Sequence, residues 1–333
     1  MYNIRVEKAA VLKDKPDESS LSFGTTFTDH MFVADYSVEK GWHDPRIVPY
    51  GPIPMDPSTM IFHYGQGVFE RMSTSCQRLS IRAIDPELSY QGLCQLIQME
   101  QDWIPHAFET SLYIRPFVIA TDPHLGVRPS HTYKFFISLS PVGAYYPEGF
   151  EPVKILVTDE YTRAVRGGIG HVKTPGNYAA SILAGEIAHE AGYTQVLWLD
   201  GVHRKYIEEV GTMNIFFVID NKVITPPLAG SILGGMTRRS SLQVLKQWGL
   251  DVEERPLSID EVVEAAHNGK LQEIFGTGTA AVISPVNKLG WKGEELIPGN
   301  GGVGEISQRL YDYITGVQFG KIEDEFNWVT ELD

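Results

Sequence analysis

Three separated segments of the chain carry residue types that could bind and activate an aldehyde cofactor. Residues 173–181 place Lys173 directly before a predicted helix. Residues 207–214 place two acids, Glu208 and Glu209, in an apolar strand. Residues 233–238 open another predicted helix with two glycines and a threonine. A lysine for a Schiff base, an acid for a ring nitrogen and a helix start for a phosphate together predict pyridoxal 5'-phosphate (PLP).

The acids, the helix start and one further segment are each open to more than one interpretation. Neighbouring strand residues point to opposite faces, so only one of Glu208 and Glu209 can face a ring, and the pattern alone does not decide which. Thr237 is equally suited to act only as a helix N-cap. Residues 276–281, Gly-Thr-Gly-Thr-Ala-Ala, form either an anion-binding turn or an ordinary one.

Composition favours a globular enzyme of two domains, because the chain has 333 residues. The net charge of −14, without a basic run, argues against nucleic-acid and membrane partners. Cys76 and Cys94 are too few for a disulfide framework, which predicts a cytoplasmic protein. We expect no signal peptide, no membrane span and no metal site.

The hydrophobic pattern predicts two α+β lobes. A small N-terminal domain comprises residues 1–140, with strands at 31–36, 111–120 and 134–139, a helix at 89–103 and loops at 41–45 and 50–52. The proline- and glycine-rich residues 141–152 predict an interdomain linker. A larger domain comprises residues 153–333, with strands at 153–157, 196–199 and 214–218, helices at 178–191, 237–248 and 259–268, and a turn followed by a strand at 275–285.

Taken in order, the segments resemble a branched-chain amino acid aminotransferase of the PLP-dependent fold type IV, the class IV aminotransferases. The resemblance covers nearly the whole chain and rests on residues 23–31, 63–70, 111–116, 195–200, 208–215 and 275–281. It implies a two-domain α/β fold, a large PLP-binding domain and a homodimer.

The resemblance also implies roles for individual residues. Lys173 would carry the Schiff base, and Glu209 rather than Glu208 would face the pyridine nitrogen. Further contacts to PLP would come from Arg71, Tyr178, Thr212, Leu233, Gly235, Met236, Thr237 and Thr279. The substrate pocket would be formed by Phe23, Tyr64, Phe69, Tyr113, Arg115, Val127, Thr212, Ala280 and Ala281, with Val127 reaching the partner subunit's site.

The implied reaction moves the amino group of L-leucine, L-isoleucine or L-valine to 2-oxoglutarate, which gives branched 2-oxo acids and L-glutamate. An apolar pocket suits the branched side chains but not the second carboxylate of glutamate. Arg115 and the tyrosines are therefore the candidates for binding that carboxylate.

The segment after Glu70 is shorter than the family pattern. Phe69 and Glu70 run directly into Arg71, as though the strand pair between two similar Phe-Glu pairs were absent. This departure supports one alternative, a weakened homologue that binds PLP without turnover. A second alternative, within the same fold, is a different fold type IV enzyme, a D-amino acid transaminase or a lyase.

Overall fold

The computed structural model describes residues 2–70, 72–107, 109–143 and 150–332. The chain divides into two compact units. The first contains Met1–Tyr145 and Val172–Gly176, and the second contains Tyr146–His171 and Asn177–Asp333. The segment around Lys173 therefore groups with the first unit, although the sequence placed it in the large domain. Half of the predicted linker, residues 144–149, lies outside the described residues, and the strand before it continues to Val142.

The first unit is built on a six-stranded sheet in the order β1-β3-β2-β6-β5-β4. Only β1 and β3 pair in parallel, and the other neighbours are antiparallel. The strands are β1 Arg5–Val6, β2 His30–Ser37, β3 Gly41–Pro49, β4 Gly67–Phe69, β5 Ser111–Ala120 and β6 Thr132–Val142. The predicted strands at 31–36, 111–120 and 134–139 are thus confirmed.

The loop predicted at residues 41–45 is wrong, because these residues begin β3. The chain accommodates Pro45 through a register shift, since Val33 pairs with Arg46 but Asp35 pairs with His43. The extra residues form a β-bulge in which Asp44 has a φ of 49°. A proline that cannot donate to the ladder is tolerated at such a position.

Three α-helices belong to the first unit: α1 Met60–Tyr64, α2 Met72–Arg78 and α3 Pro86–Met99. The helix predicted at 89–103 begins earlier, because Asp85 caps it by accepting from Glu87 N–H and Pro86 occupies its first turn. Its buried stripe contains Leu88, Gly92 and Leu96, spaced by four residues, and packs on the sheet beside Phe32.

The second unit is built on a nine-stranded mixed sheet in the order β12-β11-β10-β13-β14-β7-β8-β9, with β15 paired to β14. The strands are β7 Val153–Thr158, β8 Gln195–Leu199, β9 Ile207–Val210, β10 Asn214–Ile219, β11 Lys222–Thr225, β12 Asp251–Glu254, β13 Leu271–Gly278, β14 Val282–Trp291 and β15 Glu294–Leu296. The strands predicted at 153–157, 196–199 and 214–218 are confirmed.

The remaining helices are α4 Pro175–Ala179, α5 Ile182–Glu190, α6 Met236–Gln247, α7 Ile259–His267 and α8 Glu305–Gln318. The single helix predicted at 178–191 is wrong, because a turn at Ala180 and Ser181 separates α4 from α5. The helices predicted at 237–248 and 259–268 are confirmed as α6 and α7. The chain thus has the α+β architecture that its sequence predicts. No helix within the described ranges combines the length and apolar character that a bilayer crossing requires.

Gly92 and Gly185 provide a matched test of the packing of two helices. A Cβ at Gly92 would lie 2.6 Å from the Phe32 ring, whereas a Cβ at Gly185 in α5 meets no atom within 4 Å. We expect Gly92→Ala to destabilise the protein by about 1–3 kcal/mol through overpacking. Gly185→Ala should stabilise it by up to about 1 kcal/mol through helix propensity. Denaturant unfolding of both variants checks this, and a stabilising Gly92→Ala would contradict the described packing.

Candidate active site

In the first unit, Lys173 is held at both its backbone and its side chain. Its carbonyl accepts a hydrogen bond from Phe69 N–H at 3.1 Å, and its own N–H donates to Ser75 Oγ at 3.2 Å. Its ammonium donates to Glu70 Oε2 in a partly buried ion pair. Lys173 is therefore fixed against the end of β4 instead of extending into solvent.

Glu70 connects Lys173 to the side chains of β5. Its N–H donates to Pro116 carbonyl at 2.9 Å, and its Oε1 accepts from the Tyr113 hydroxyl. Arg115 donates to that hydroxyl at 2.9 Å, and its Nε lies 3.4 Å from Glu70 Oε1. One carboxylate thus balances two cations within a single network.

The pKa values of this network follow from burial and charge. Burial alone would raise the pKa of Glu70, but Lys173, Tyr113 and Arg115 outweigh it and hold that pKa below its usual value. Burial and the Glu70 carboxylate raise the pKa of Tyr113 to about 12. Glu70 is therefore ionised and Tyr113 neutral near pH 7.

Aromatic rings line the same cluster. The guanidinium of Arg115 lies 4.9 Å from the centre of the Phe69 ring, and Lys173 Nζ lies 5.2 Å from it. Phe23 packs edge-on against Tyr113, with 4.9 Å between the ring centres. Four residues predicted for the substrate pocket thus belong to one cluster with Lys173 and Glu70, and no role had been predicted for Glu70 from the sequence.

Tyr64 and Val127, the other two predicted substrate residues of this unit, stand apart from that network. Tyr64 ends α1 and is 41% exposed, and Val127 lies between β5 and β6 and is 89% exposed. Within the described part of the chain, neither forms a hydrogen bond to the residues around Lys173. Arg71, predicted to bind the phosphate, lies outside the described residues.

In the second unit, Glu209 on β9 is buried, with 4% of its surface exposed. Its Oε2 forms an ion pair with Arg163, and its Oε1 accepts from Asn214 Nδ2 and from Leu233 N–H, both at 3.1 Å. Burial raises the pKa of Glu209 to about 7, while Arg163 and the Leu233 N–H oppose that rise. Glu209 is thus a carboxylate whose charge depends on one arginine.

Asn214 links Glu209 to the start of α6. Its Nδ2 also donates to Leu233 carbonyl at 2.7 Å, and its Oδ1 accepts from Gly235 N–H at 3.1 Å. A Cβ at Gly235 would lie 2.3 Å from that Oδ1, so the position requires glycine. Glu209 and the helix start are therefore joined through one side chain.

The N-terminus of α6 is suited to an anion. Its N-cap residue, Gly235, makes no side-chain cap, and its first turn holds no acid. The first N–H groups, next to the half-buried Thr237, are therefore available to a phosphate. A buried acid tied to an uncapped helix start provides the two polar contacts that PLP requires within this unit, so the residues fit the predicted cofactor.

The remaining predicted residues are distributed around these features. Tyr178 is half-buried on α4, and Thr212 is exposed between β9 and β10. Thr279, Ala280 and Ala281 form the turn between β13 and β14. The residues described by the structure contain no group of three or more potential metal ligands.

Sequence reasoning missed Glu70, Arg163 and Asn214. Glu70 and Asn214 stand inside segments that carried the resemblance, at 63–70 and 208–215, so their positions were a usable signal. No sequence signal pointed to Arg163, because its ion-pair partner Glu209 lies far from it in the sequence. Glu208, by contrast, accepts from Ser231 and not from the partners of Glu209, as strand alternation predicted.

Comparison with known proteins agrees with this arrangement. Residues 69–289 match the family model described as amino-transferase class IV. The chain is 55% identical to branched-chain-amino-acid aminotransferase 2 of Bacillus subtilis, over 99% of this chain and 97% of that protein. Among solved structures it is similar to the Escherichia coli branched-chain amino acid aminotransferase, with 25% identity, a TM-score of 0.76 and coverage of 92% and 99%.

A third similar protein carries a form of the predicted cofactor. The structure of the T.th. branched-chain amino acid aminotransferase with pyridoxamine 5'-phosphate has a TM-score of 0.75 at 22% identity and covers 91% of this chain and 98% of its own. At 22% identity, this similarity demonstrates that the two proteins share a fold.

The comparison also bears on chain length. The match to the B. subtilis protein extends over 351 residues, whereas this chain has 333. Some aligned positions are therefore empty in this chain.

Arg163 should control the ionisation of Glu209. In the cofactor-free protein, Arg163→Met removes the adjacent positive charge, so the pKa of Glu209 should rise above its value of about 7. Carboxyl-carbon NMR titration checks this. The matched variant Arg166→Met should leave that pKa nearly unchanged, because Arg166 acts on Glu208. A fall in the Glu209 pKa of Arg163→Met would contradict the described ion pair.

Proposed function

The chain belongs to the class IV aminotransferase family and is a branched-chain amino acid aminotransferase, and we propose that Lys173 is the residue that binds its PLP. The observation that carries this proposal is the fixed position of Lys173, between Ser75 and Phe69 at its backbone and Glu70 at its ammonium. Bound to Lys173 through a Schiff base, PLP would supply the electron sink for loss of the α-proton.

Glu70 acts in this proposal as the residue that positions Lys173. Its Oε2 holds Nζ and balances its charge, while Oε1 is occupied by Tyr113 and approached by Arg115. Arg115 would still compensate the Glu70 carboxylate if Lys173 lost its charge. The neutral amine of Lys173 would be the group that accepts the α-proton of the amino acid.

The second unit supplies the polar groups for the ring and the phosphate. Glu209, whose ionised form is favoured by Arg163, Asn214 and the Leu233 N–H, would accept a hydrogen bond from the protonated pyridine nitrogen. The start of α6 at Gly235, Met236 and Thr237, with Thr279 and Arg71, would hold the phosphate. Tyr178, Leu233 and Thr212 complete the proposed set of cofactor contacts.

The substrate side uses the cluster around Lys173. Phe23 and Phe69 offer apolar surface to a branched side chain, and Arg115 with Tyr113 offers charge to the second carboxylate of glutamate. Tyr64, Val127, Ala280 and Ala281 are proposed to complete the pocket. The reaction exchanges the amino groups of leucine, isoleucine or valine with 2-oxoglutarate.

We further propose a homodimer in the cytoplasm. Val127 is 89% exposed, as expected of an apolar residue that a partner subunit covers. Cys76 and Cys94 are both free thiols, in accord with a reducing compartment. The comparisons give no support to the alternatives of PLP binding without turnover, a D-amino acid transaminase or a lyase.

Lys173→Ala should abolish transamination while leaving the fold intact. The reason is that the variant lacks the amine that binds the cofactor and moves the α-proton. The assay follows 4-methyl-2-oxopentanoate formed from L-leucine and 2-oxoglutarate, with circular dichroism as the check on folding. Lys40→Ala, at an exposed turn, is the matched control with expected wild-type activity. A folded Lys173→Ala with full activity would refute the assignment.

Arg115→Gln should separate the two substrates. Loss of the guanidinium should raise the KM for 2-oxoglutarate about tenfold or more, because one charge-assisted contact to a carboxylate contributes about 1.5–3 kcal/mol. The half-reaction with L-leucine, measured in the same variant, is the internal control and should change less. Equal losses for both substrates would assign Arg115 a general structural role instead.

A further inference from the structure

The second unit contains a cavity of about 350 Å³ that the proposed active-site residues do not line. It lies on the face of β9 that carries Glu208, whereas the neighbouring Glu209 points to the opposite face. Its volume falls within the range of small-molecule sites. The side chains that line the cavity determine which ligand it can bind.

Glu208 forms the acidic floor of the cavity. It is 8% exposed, and its Oε1 accepts a hydrogen bond from Ser231 Oγ. Within the described part of the chain, its Oε2 has no hydrogen-bond donor. Burial raises the pKa of Glu208, a cost that a cationic ligand group against the carboxylate would offset. The floor is thus a buried acceptor suited to an ammonium group.

Arg166 supplies an opposite charge at the rim. It is exposed and forms neither a salt bridge nor a hydrogen bond with any residue that the structure describes. It is close enough to Glu208 to lower the pKa of that acid, yet the two do not pair. Its guanidinium is consequently available to a ligand carboxylate.

Asp200 also lines the cavity but is not available to a ligand. Its carboxylate accepts backbone N–H bonds from Val202, His203, Lys205 and Tyr206 at 2.7–3.2 Å. These bonds fix the turn that presents the His203 and Tyr206 rings, whose centres are 5.9 Å apart, to the rim. Asp200 therefore shapes the cavity, and its negative charge is already satisfied.

The remaining wall is apolar and rigid. Pro226, Pro227 and Pro256 contribute three rings, and Ile232 contributes a buried aliphatic side chain. Such surfaces lose little conformational entropy when a ligand covers them. They suit the aliphatic side chain of a ligand whose charged groups contact Glu208 and Arg166.

We propose that this cavity binds an apolar α-amino acid as a zwitterion. The ammonium group lies against Glu208, the carboxylate against Arg166 and the side chain against the prolines. Among the described residues, one acid with a free oxygen and one base without a partner, both lining a cavity that also has an apolar wall, match that ligand class and neither a simple anion nor a simple cation. The cavity shares no lining residue with the substrate pocket proposed around Lys173.

The test measures leucine binding to the holoenzyme after borohydride reduction, which fixes PLP to its lysine and prevents turnover. Equilibrium dialysis with labelled L-leucine should show one leucine bound per chain. This binding should depend on the residues that line the cavity. Glu208→Gln and Arg166→Gln should each weaken this binding at least tenfold. Arg5→Gln, an exposed charge removal in the first unit, is the control and should leave it unchanged.

A ligand change separates a direct contact from a disturbed fold. Leucinamide lacks the carboxylate, so it should bind wild-type and Arg166→Gln protein equally while remaining sensitive to Glu208→Gln. Absence of leucine binding, or binding that survives both cavity variants and so belongs to the substrate pocket, would overturn the proposal. Transamination by the unreduced enzyme is measured in parallel, so failure of the cavity is distinguished from failure of the proposed function.

Discussion

A carboxylate buried as deeply as that of Glu209 is stable in its charged form only when neighbouring groups compensate the loss of water. Arg163 supplies the opposing charge, and Asn214 and the Leu233 N–H supply the hydrogen bonds. The same asparagine holds Gly235 at the start of α6. The acid that would face a pyridine ring and the helix start that would bind a phosphate are therefore held by the same side chain, Asn214, which also satisfies the buried Glu209.

In the first unit, the partly buried Glu70 carboxylate is likewise compensated by its neighbours. The segment that follows it is shorter than the family pattern predicts. Its β4 has only three residues and pairs with β5 from Ile119 to Phe117, so the remainder of β5 has β6 as its described partner. Glu70 follows with a φ of 51°, an uncommon conformation outside glycine. The backbone bonds to Lys173 and Pro116 nevertheless bring Phe69 and Glu70 to the lysine. Phe69 and Glu70 thus both contact Lys173 directly.

Local patterns predicted six of the strands and the acid alternation, because β-periodicity and turn residues act over a few positions, but they took the start of β3 for a loop. The break at Ser181 and the bulge at Pro45 were not predictable, since both depend on what the neighbouring elements allow. The resemblance to a known family implied roles for Lys173 and Glu209 but drew no attention to Arg163, whose ion pair with Glu209 is visible only in the folded chain. Burial and pairing of charges are properties of the folded chain, so sequence spacing does not reveal them.

We expect this chain to catalyse amino transfer with Lys173 and Glu209 as cofactor-binding residues. The most direct test records the visible absorbance of the PLP-loaded protein before and after L-leucine is added without an acceptor. The cofactor's visible band should disappear, and about one equivalent of 4-methyl-2-oxopentanoate per chain should form. A band that forms but remains unchanged with leucine, with no oxo acid released, would contradict this expectation.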